Sequence, residues 1–157
     1  MRYPVAAFLL LFAFAGCSKN NNSSSNGSFS ATIGSASYQG TTTLGAYSAN
    51  LAELAIVSYS QRTNDTSAFQ VTMPWPAKAF NQVLPADSLL TLSYSAKGKE
   101  YDAWSTEGQL QLTITSIDSI GHKIAGSFTA TGHSSANFND SVVITNGKFS
   151  TAYNVNP

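Results

Sequence analysis

The sequence has one cysteine, two histidines and few charges, and each of these shortages excludes a class of protein. A single cysteine forms no intrachain disulfide, so a folded domain must be held together by its core. With eight Lys and Arg against eight Asp and Glu in 157 residues, the chain has no basic footprint for nucleic acid. Two histidines without a second thiol supply too few ligands for a zinc site. We therefore expect no nucleic-acid partner, no metal and no cofactor.

Helix signals are nearly absent, whereas strand signals recur along the chain. The clearest strand is QLQLTIT at 109–115, where apolar residues alternate with polar ones. The segment at 123–131 repeats this alternation, and turn residues at 118–121 separate the two. A period of two is typical of a half-buried strand. The pattern predicts a hairpin with Leu112 and Phe128 on its buried face.

Other segments read as strands with weaker patterns. Asn146 and Gly147 separate two apolar runs and predict a tight turn or a bulge. The best helix candidate is 46–57, although its second half fits a strand equally well. About nine short strands at close spacing build a sandwich or a barrel. We expect an all-β fold, and prefer an antiparallel β-sandwich over residues 29–157.

The N-terminus, residues 1–16, has the features of an export signal. Arg2 is its one charge, and the run at 5–15 contains no polar residue. That run fits the apolar core of a signal peptide and is too short for a membrane-spanning helix, which needs roughly 20 residues. Small residues then precede Cys17. The arrangement resembles a lipobox, with Phe14 where such sites usually have Leu, and the resemblance implies that signal peptidase II cuts before a lipidated Cys17.

The segment 17–28 follows as a polar connection. From Ser18 to Ser28 it reads SKNNNSSSNGS, which contains no apolar residue. Such a composition cannot bury enough surface to order itself, so we expect a flexible tether. Stable membrane anchoring takes about two acyl chains, which a lipobox cysteine provides. The sequence therefore predicts a domain held to a membrane of the cell envelope by lipid.

Several strand segments together carry a family resemblance. They read FSATI at 29–33, GQLQLTITSID at 108–118, KIAGSFTAT at 123–131 and VVITNGKFS at 142–150. The pattern resembles an uncharacterised family of Gram-negative lipoproteins that combine a lipobox, a polar tether and one β-sandwich domain of unknown function. The resemblance implies an anchor in the outer membrane, on its periplasmic face or at the surface. It brings no catalytic residues.

Aromatic residues are the candidates for ligand contact. Trp75 stands between two prolines, which interrupt a central strand, so we expect it in a loop or at a sheet edge. A displayed tryptophan can stack on a sugar or anchor a protein partner. Trp104 and Tyr101 are candidates for the same platform. The alternative is that Trp75 folds back as a lid on the core. The expected function is a non-catalytic binding module for a glycan or an envelope protein.

An envelope hydrolase acting on glycan or ester substrates is the alternative function. The segment 132–136 resembles a nucleophile elbow, but Ala136 replaces the final glycine and no histidine follows. Glu100, Asp102 and Glu107 form the one close group of carboxylates. Because acid–base catalysis needs more than this inventory, the binding module is favoured.

Three aspartates are each followed by a serine and an aliphatic residue. The serines are Ser88, Ser119 and Ser141. The tripeptide resembles the acceptor motif of a general protein O-glycosylation system that acts on exported proteins in some Gram-negative bacteria. Turn chemistry alone also produces it, because Asp and Ser favour turns and an apolar residue opens the next strand.

Overall fold

The computed structural model describes residues 27–62, 65–75, 81, 83–85 and 89–156. The predicted export signal, Cys17, the segment that follows it to residue 26, and Ser88 lie outside the described residues. Ser28, expected at the end of the tether, is the first residue of a strand.

The described residues form ten strands and one short 3-10 turn, Ser105–Glu107. The strands are β1 (Ser28–Ile33), β2 (Ala36–Gln39), β3 (Thr42–Ser48), β4 (Glu53–Arg62), β5 (Asp65–Pro74), β6 (Thr91–Ala96), β7 (Lys99–Trp104), β8 (Leu110–Asp118), β9 (Lys123–Ser134) and β10 (Ser141–Asn156). The prediction of an all-β fold is confirmed. No helix among the described residues has the length and apolar character that a membrane crossing requires.

The ten strands belong to one continuous sheet in the order β2-β1-β10-β3-β4-β5-β6-β7-β9-β8. A further pairing joins β9 to β10, so seven of the strands, from β3 to β7 with β9 and β10, close into a ring. All pairs are antiparallel except β3 with β10, which is parallel. The sheet is therefore not divided into two separate sheets, because the pairing of β9 with β10 joins the two ends of the run from β3 to β7.

β10 has three partners because it is long and bends. It pairs with β9 over Ser141–Ala152, with β1 over Ile144–Ser150, and with β3 from Tyr153 onward. The register shifts between Ile144 and Gly147, and Asn146 has a φ of 52°. This bulge confirms the turn-or-bulge prediction for Asn146 and Gly147. Bulges bend a strand and increase its twist, which helps β10 to leave β1 and pair with β3 further along.

The predicted hairpin is present as β8 and β9. Leu112 stands opposite Phe128, and the two side chains are 0% and 3% exposed. The turn is held by Asp118, whose Oδ1 accepts hydrogen bonds from the backbone N–H groups of Ile120 (3.1 Å) and Gly121 (2.7 Å). Local alternation and a local turn therefore specify this pair.

The segment 46–57, the best helix candidate, contains no helix, and its second half forms a strand, the alternative that the sequence left open. The segment contains the end of β3, a turn and the start of β4, with Ser48 paired to Glu53. Leu54 and Ile56 are both buried, and the residues between and beside them are not. That spacing of two matches a strand with one face in the core.

The core contains an aromatic cluster that joins β1, β5 and β9. Phe29 from β1 lies 5.0 Å from Phe69 of β5 and 5.4 Å from Phe128 of β9, measured between ring centroids. Tyr38 packs on Phe69 at 4.7 Å and donates a 3.0 Å hydrogen bond from its hydroxyl to the Ser58 carbonyl. Burial raises the pKa of the Tyr38 phenol. The hydroxyl is satisfied, so the ring can be buried at little polar cost.

Two cross-strand pairs between β9 and β10 place a phenylalanine ring over a glycine. Phe128 stands opposite Gly147, and Phe149 stands opposite Gly126. A Cβ on Gly147 would lie 2.6 Å from the Phe128 ring, and one on Gly126 would lie 2.5 Å from the Phe149 ring. Each ring therefore occupies the space that a side chain on the opposite residue would need.

Candidate binding surface

Six half-buried side chains on the outer face of β6, β7 and β9 form what we call the outer patch. On these strands Leu92, Ala103 and Gly132 are buried and face the core. Because successive residues of a strand face opposite sides of a sheet, their neighbours on each strand face outward. The outer patch consists of Thr91, Ser93, Asp102, Trp104, Thr131 and His133.

Strand register brings five of these six residues together, and Thr131 follows on the same face of β9 as His133. Thr91 stands opposite Trp104, and Ser93 stands opposite Asp102, whose other neighbour is His133. The Ser93 hydroxyl donates a 2.6 Å hydrogen bond to Asp102 Oδ1. The patch is therefore continuous across three strands.

The backbone of Gln109 lies between Trp104 and Thr131 and bonds both. Its N–H donates to the Trp104 carbonyl at 3.1 Å, and its carbonyl accepts from the Thr131 N–H at 2.8 Å. The side-chain Oε1 of Gln109 also accepts from the Trp104 N–H at 3.4 Å. Trp104 is thus linked through one residue to β9.

Trp104 is held where β7 ends and the 3-10 turn begins. The turn is closed by Gly108, whose φ of 70° lies in the left-handed region that glycine adopts readily. Ser105, the first residue of the turn, is buried, and its Oγ accepts a 3.0 Å hydrogen bond from the Leu90 N–H. These contacts fix the backbone on both sides of the indole.

His133 adds a second flat surface to the outer patch. Its Nδ1 lies 2.9 Å from the Phe138 carbonyl, to which it donates in the tautomer protonated at that nitrogen. The imidazole stacks on the Phe138 ring with centroids 4.2 Å apart and an angle of 8°. Phe138 is itself 60% exposed. A short loop therefore orients the histidine ring.

The outer patch combines groups that suit a neutral sugar. An indole ring can stack on the apolar face of a pyranose, and hydroxyl and carboxylate oxygens can bond its hydroxyl groups. Trp104 supplies the ring, and Asp102 supplies the one carboxylate of the patch. Because Trp104 and Asp102 are two residues apart on one strand, they share a face, and their Cα atoms lie about 7 Å apart.

Tyr101 does not join Trp104. The two residues are three apart on β7, so they face opposite sides of the sheet. Tyr101 stacks on Tyr94 at 6.3 Å, and its hydroxyl lies 3.4 Å from Asp140 Oδ1. Lys99 bonds the other oxygen of Asp140 at 2.8 Å, and this hydrogen bond holds the pKa of the Asp140 carboxyl below its ordinary value. Tyr101 belongs to this ion-paired group.

Trp75 also lies apart from the outer patch. It follows β5 directly, and its N–H donates a 2.7 Å hydrogen bond to the Ala52 carbonyl. Its half-buried ring packs edge-on against Tyr153 at 5.4 Å, and His122 stacks on Tyr153 at the same distance. Burial raises the pKa of the Tyr153 phenol. The position matches the lid alternative, because the ring covers the core.

The outer patch contains a serine, an aspartate and a histidine, but not in the order of a hydrolytic triad. In a triad the histidine stands between nucleophile and carboxylate, so that it can take the proton. Here Asp102 stands between Ser93 and His133. His122 is at the other end of β9, up to about 36 Å from His133 along an extended strand. In the part of the chain that the structure describes, no group of three or more His, Cys, Asp or Glu could hold a metal ion.

Two of the three candidate glycosylation serines are described, and both are exposed. Ser119 lies in the β8–β9 turn, and Ser141 opens β10 opposite His133. The aspartate before each serine has a structural role: Asp118 holds its turn, and Asp140 pairs with Lys99. The positions of Ser119 and Ser141 therefore fit both O-glycosylation and simple turn chemistry.

Thr91, Ser93, Thr131 and His133 were not predicted as site residues. Alternation of polar and apolar residues at 90–94 indicates that Thr91 and Ser93 share a face, but it does not say which strand lies beside them. The pairing of β7 with β9 is non-local and has no sequence signature.

Comparisons of the chain with models of protein families, with curated proteins and with solved structures found no match. Function is therefore inferred from the geometry of the outer patch and from the sequence.

Proposed function

We propose that this protein is a lipid-anchored lipoprotein of the Gram-negative cell envelope whose domain binds a glycan without catalysis. The observation that carries the glycan assignment is the outer patch, where Trp104 is fixed beside Asp102 and Thr91 on one outward face. The polar groups are oriented before any ligand arrives, since Ser93 already bonds Asp102 at 2.6 Å. Preorganised groups reduce the entropy lost on binding.

A glycan fits this surface better than a protein partner does. Protein interfaces concentrate apolar and aromatic side chains at a desolvated centre, with polar groups at the rim. In the outer patch Trp104 is the one large apolar side chain, and the residues around it are polar and half-buried. Hydroxyl-rich surroundings of one aromatic ring are suited to a sugar.

A glycan array followed by calorimetry tests the assignment with two matched tryptophan variants. Trp104→Ala should abolish binding with little change in melting temperature, because the ring is part of the outer surface. Trp75→Ala should lower the melting temperature and keep the binding, because its ring packs on Tyr153. The proposal would be contradicted if the wild-type protein bound no glycan on the array, or if both variants bound a glycan equally well. Capture of an envelope protein through Trp104 would favour the protein-partner alternative.

The anchor is supported by the sequence alone. A polar-free run precedes small residues and the single cysteine of the chain, Cys17. Cys17→Ala should prevent labelling by a palmitate analogue and release the domain from the membrane fraction. Membrane retention of the variant, together with an unlabelled wild-type protein, would refute lipidation.

A further inference from the structure

Two turns at one end of the molecule present apolar side chains to solvent. Ile120, in the β8–β9 turn, is 97% exposed, and Leu51, in the β3–β4 turn, is 59% exposed. Val155, near the end of β10, is 46% exposed. We call this the Ile120 end. A single exposed apolar side chain is ordinary, whereas several at one end of a molecule form a candidate contact surface.

Ile120 is held in this exposed position by its turn. Asp118 Oδ1 accepts hydrogen bonds from the N–H groups of both Ile120 and Gly121. His122 then adopts a φ of 49°, which directs the chain back into β9. A tip fixed in this way can insert into a surface without first losing conformational freedom.

A line of aromatic contacts connects the two turns. Trp75 bonds the Ala52 carbonyl beside Leu51, and its ring meets Tyr153, which in turn stacks on His122. The rings lie behind the apolar tips and carry polar groups. Tyr153 is buried and Trp75 is half-buried, so these rings support the two turns from inside the domain. The Ile120 end therefore has apolar tips in front of a packed aromatic base.

The N-terminal chain leads towards this end. β1 is antiparallel to β10, and Gly27 lies against Thr43 and Thr151. Along β10, Thr151 is about 17 Å from the Ile120 end and about 33 Å from Ser141 at the opposite end. The chain from Cys17 to Gly27 spans at most about 36 Å when fully extended. An anchored Cys17 thus reaches the near end with slack and the far end only at nearly full extension.

We propose that the Ile120 end rests on the bilayer that holds the lipid anchor, with Ile120 and Leu51 inserted among the headgroups. The inference depends on the proposed lipidation of Cys17. Charge does not drive the contact, because exposed Glu53 and Asp118 offset Lys123 at this end. The contact therefore does not require anionic lipid. In this orientation the loop at 135–140 points away from the membrane.

The test uses the full lipidated chain with one introduced cysteine, Ile120→Cys in one sample and Ser135→Cys in the other. Since the chain has a single cysteine and lipidation blocks its thiol, the introduced residue alone takes an environment-sensitive fluorophore. Each sample is reconstituted into phosphatidylcholine vesicles that contain a nitroxide-labelled lipid. We expect loss of most of the emission from position 120, no loss from position 135, and the same result when phosphatidylglycerol is added.

A second variant separates insertion from mere proximity. Ser119→Cys carries the fluorophore, with and without Ile120→Ser and Leu51→Ser, and melting curves check that each protein is folded. Removing the apolar tips should restore most of the emission while the protein still floats with the vesicles. Flotation with equal quenching at positions 120 and 135 would overturn the docking but leave the anchor intact. Failure to float would refute lipidation and, with it, this inference.

Discussion

Replacing Gly147 by alanine tests how tightly β10 packs on the Phe128 ring of β9. The backbone of Gly147 lies outside the left-handed region, so alanine brings no conformational strain there. Its Cβ would instead lie 2.6 Å from three atoms of the Phe128 ring. Carbon atoms in contact are normally about 3.5–4.0 Å apart, so the ring must move by about 1 Å. Phe128 is 3% exposed and packs on Phe29 and Phe69, which leaves it little room.

Overpacking of this kind costs about 1–3 kcal/mol of unfolding free energy, and we expect the upper half of that range. A domain of this size loses about 3–5 °C in melting temperature per kcal/mol. Equilibrium unfolding in urea, followed by tryptophan fluorescence, measures the change. Phe128→Leu removes part of the ring and should relieve the clash, so the double variant should be at least about 1 kcal/mol more stable than the sum of the single effects predicts.

Gly34→Ala provides the matched control. A Cβ on Gly34 meets nothing within 4 Å, but its φ of 58° lies in the left-handed region. Alanine there should cost about 1 kcal/mol through the backbone alone, and Phe128→Leu should not change that cost. If Gly147→Ala and Phe128→Leu are additive within about 0.5 kcal/mol, the steric explanation of the glycine–phenylalanine pair is wrong.

Two further predictions concern the β8–β9 hairpin and the candidate glycosylation sites. Leu112 is fully buried, so Leu112→Ala should cost about 2–5 kcal/mol in the same assay, and a loss below about 1 kcal/mol would mean that the side chain does not face the core. Intact-mass spectrometry of the protein from its native host should show a ladder of sugar masses that disappears in the triple Ser→Ala variant of Ser88, Ser119 and Ser141. A mass equal to the peptide plus lipid would refute the modification.

The features that sequence predicts well are those set by neighbouring residues. The β8–β9 hairpin follows from alternation around Leu112 and from the turn chemistry of Asp118, both of which act within a few residues. The bulge at Asn146 follows in the same way. The same reasoning fails for 46–57, where alanines and leucines suit both a helix and a strand, and the strand prevails because it buries Leu54 and Ile56 in the core.

The candidate site could be predicted only in part. Aromatic character indicates Trp104, but it also groups Tyr101 with it, even though a spacing of three on a strand places the two on opposite faces. The rest of the outer patch depends on β9 lying beside β7, a contact between segments far apart in the chain. Residue alternation fixes which side chains share a face of one strand, and leaves open which strands become neighbours.

The closure of the ring by β10 has a consequence for the order of folding. β10 is synthesised after the other nine strands, yet β1, β3 and β9 all need it as a partner. Pairings such as Ser28 with Ser150 join distant parts of the chain, and folding slows as contacts become less local. Hairpins such as β4–β5 and β8–β9 can form early, but the edges of β1 and β3 that later meet β10 stay open until it arrives. The ring can therefore close only once β10, the last strand in the chain, is available to pair with β3 and β9.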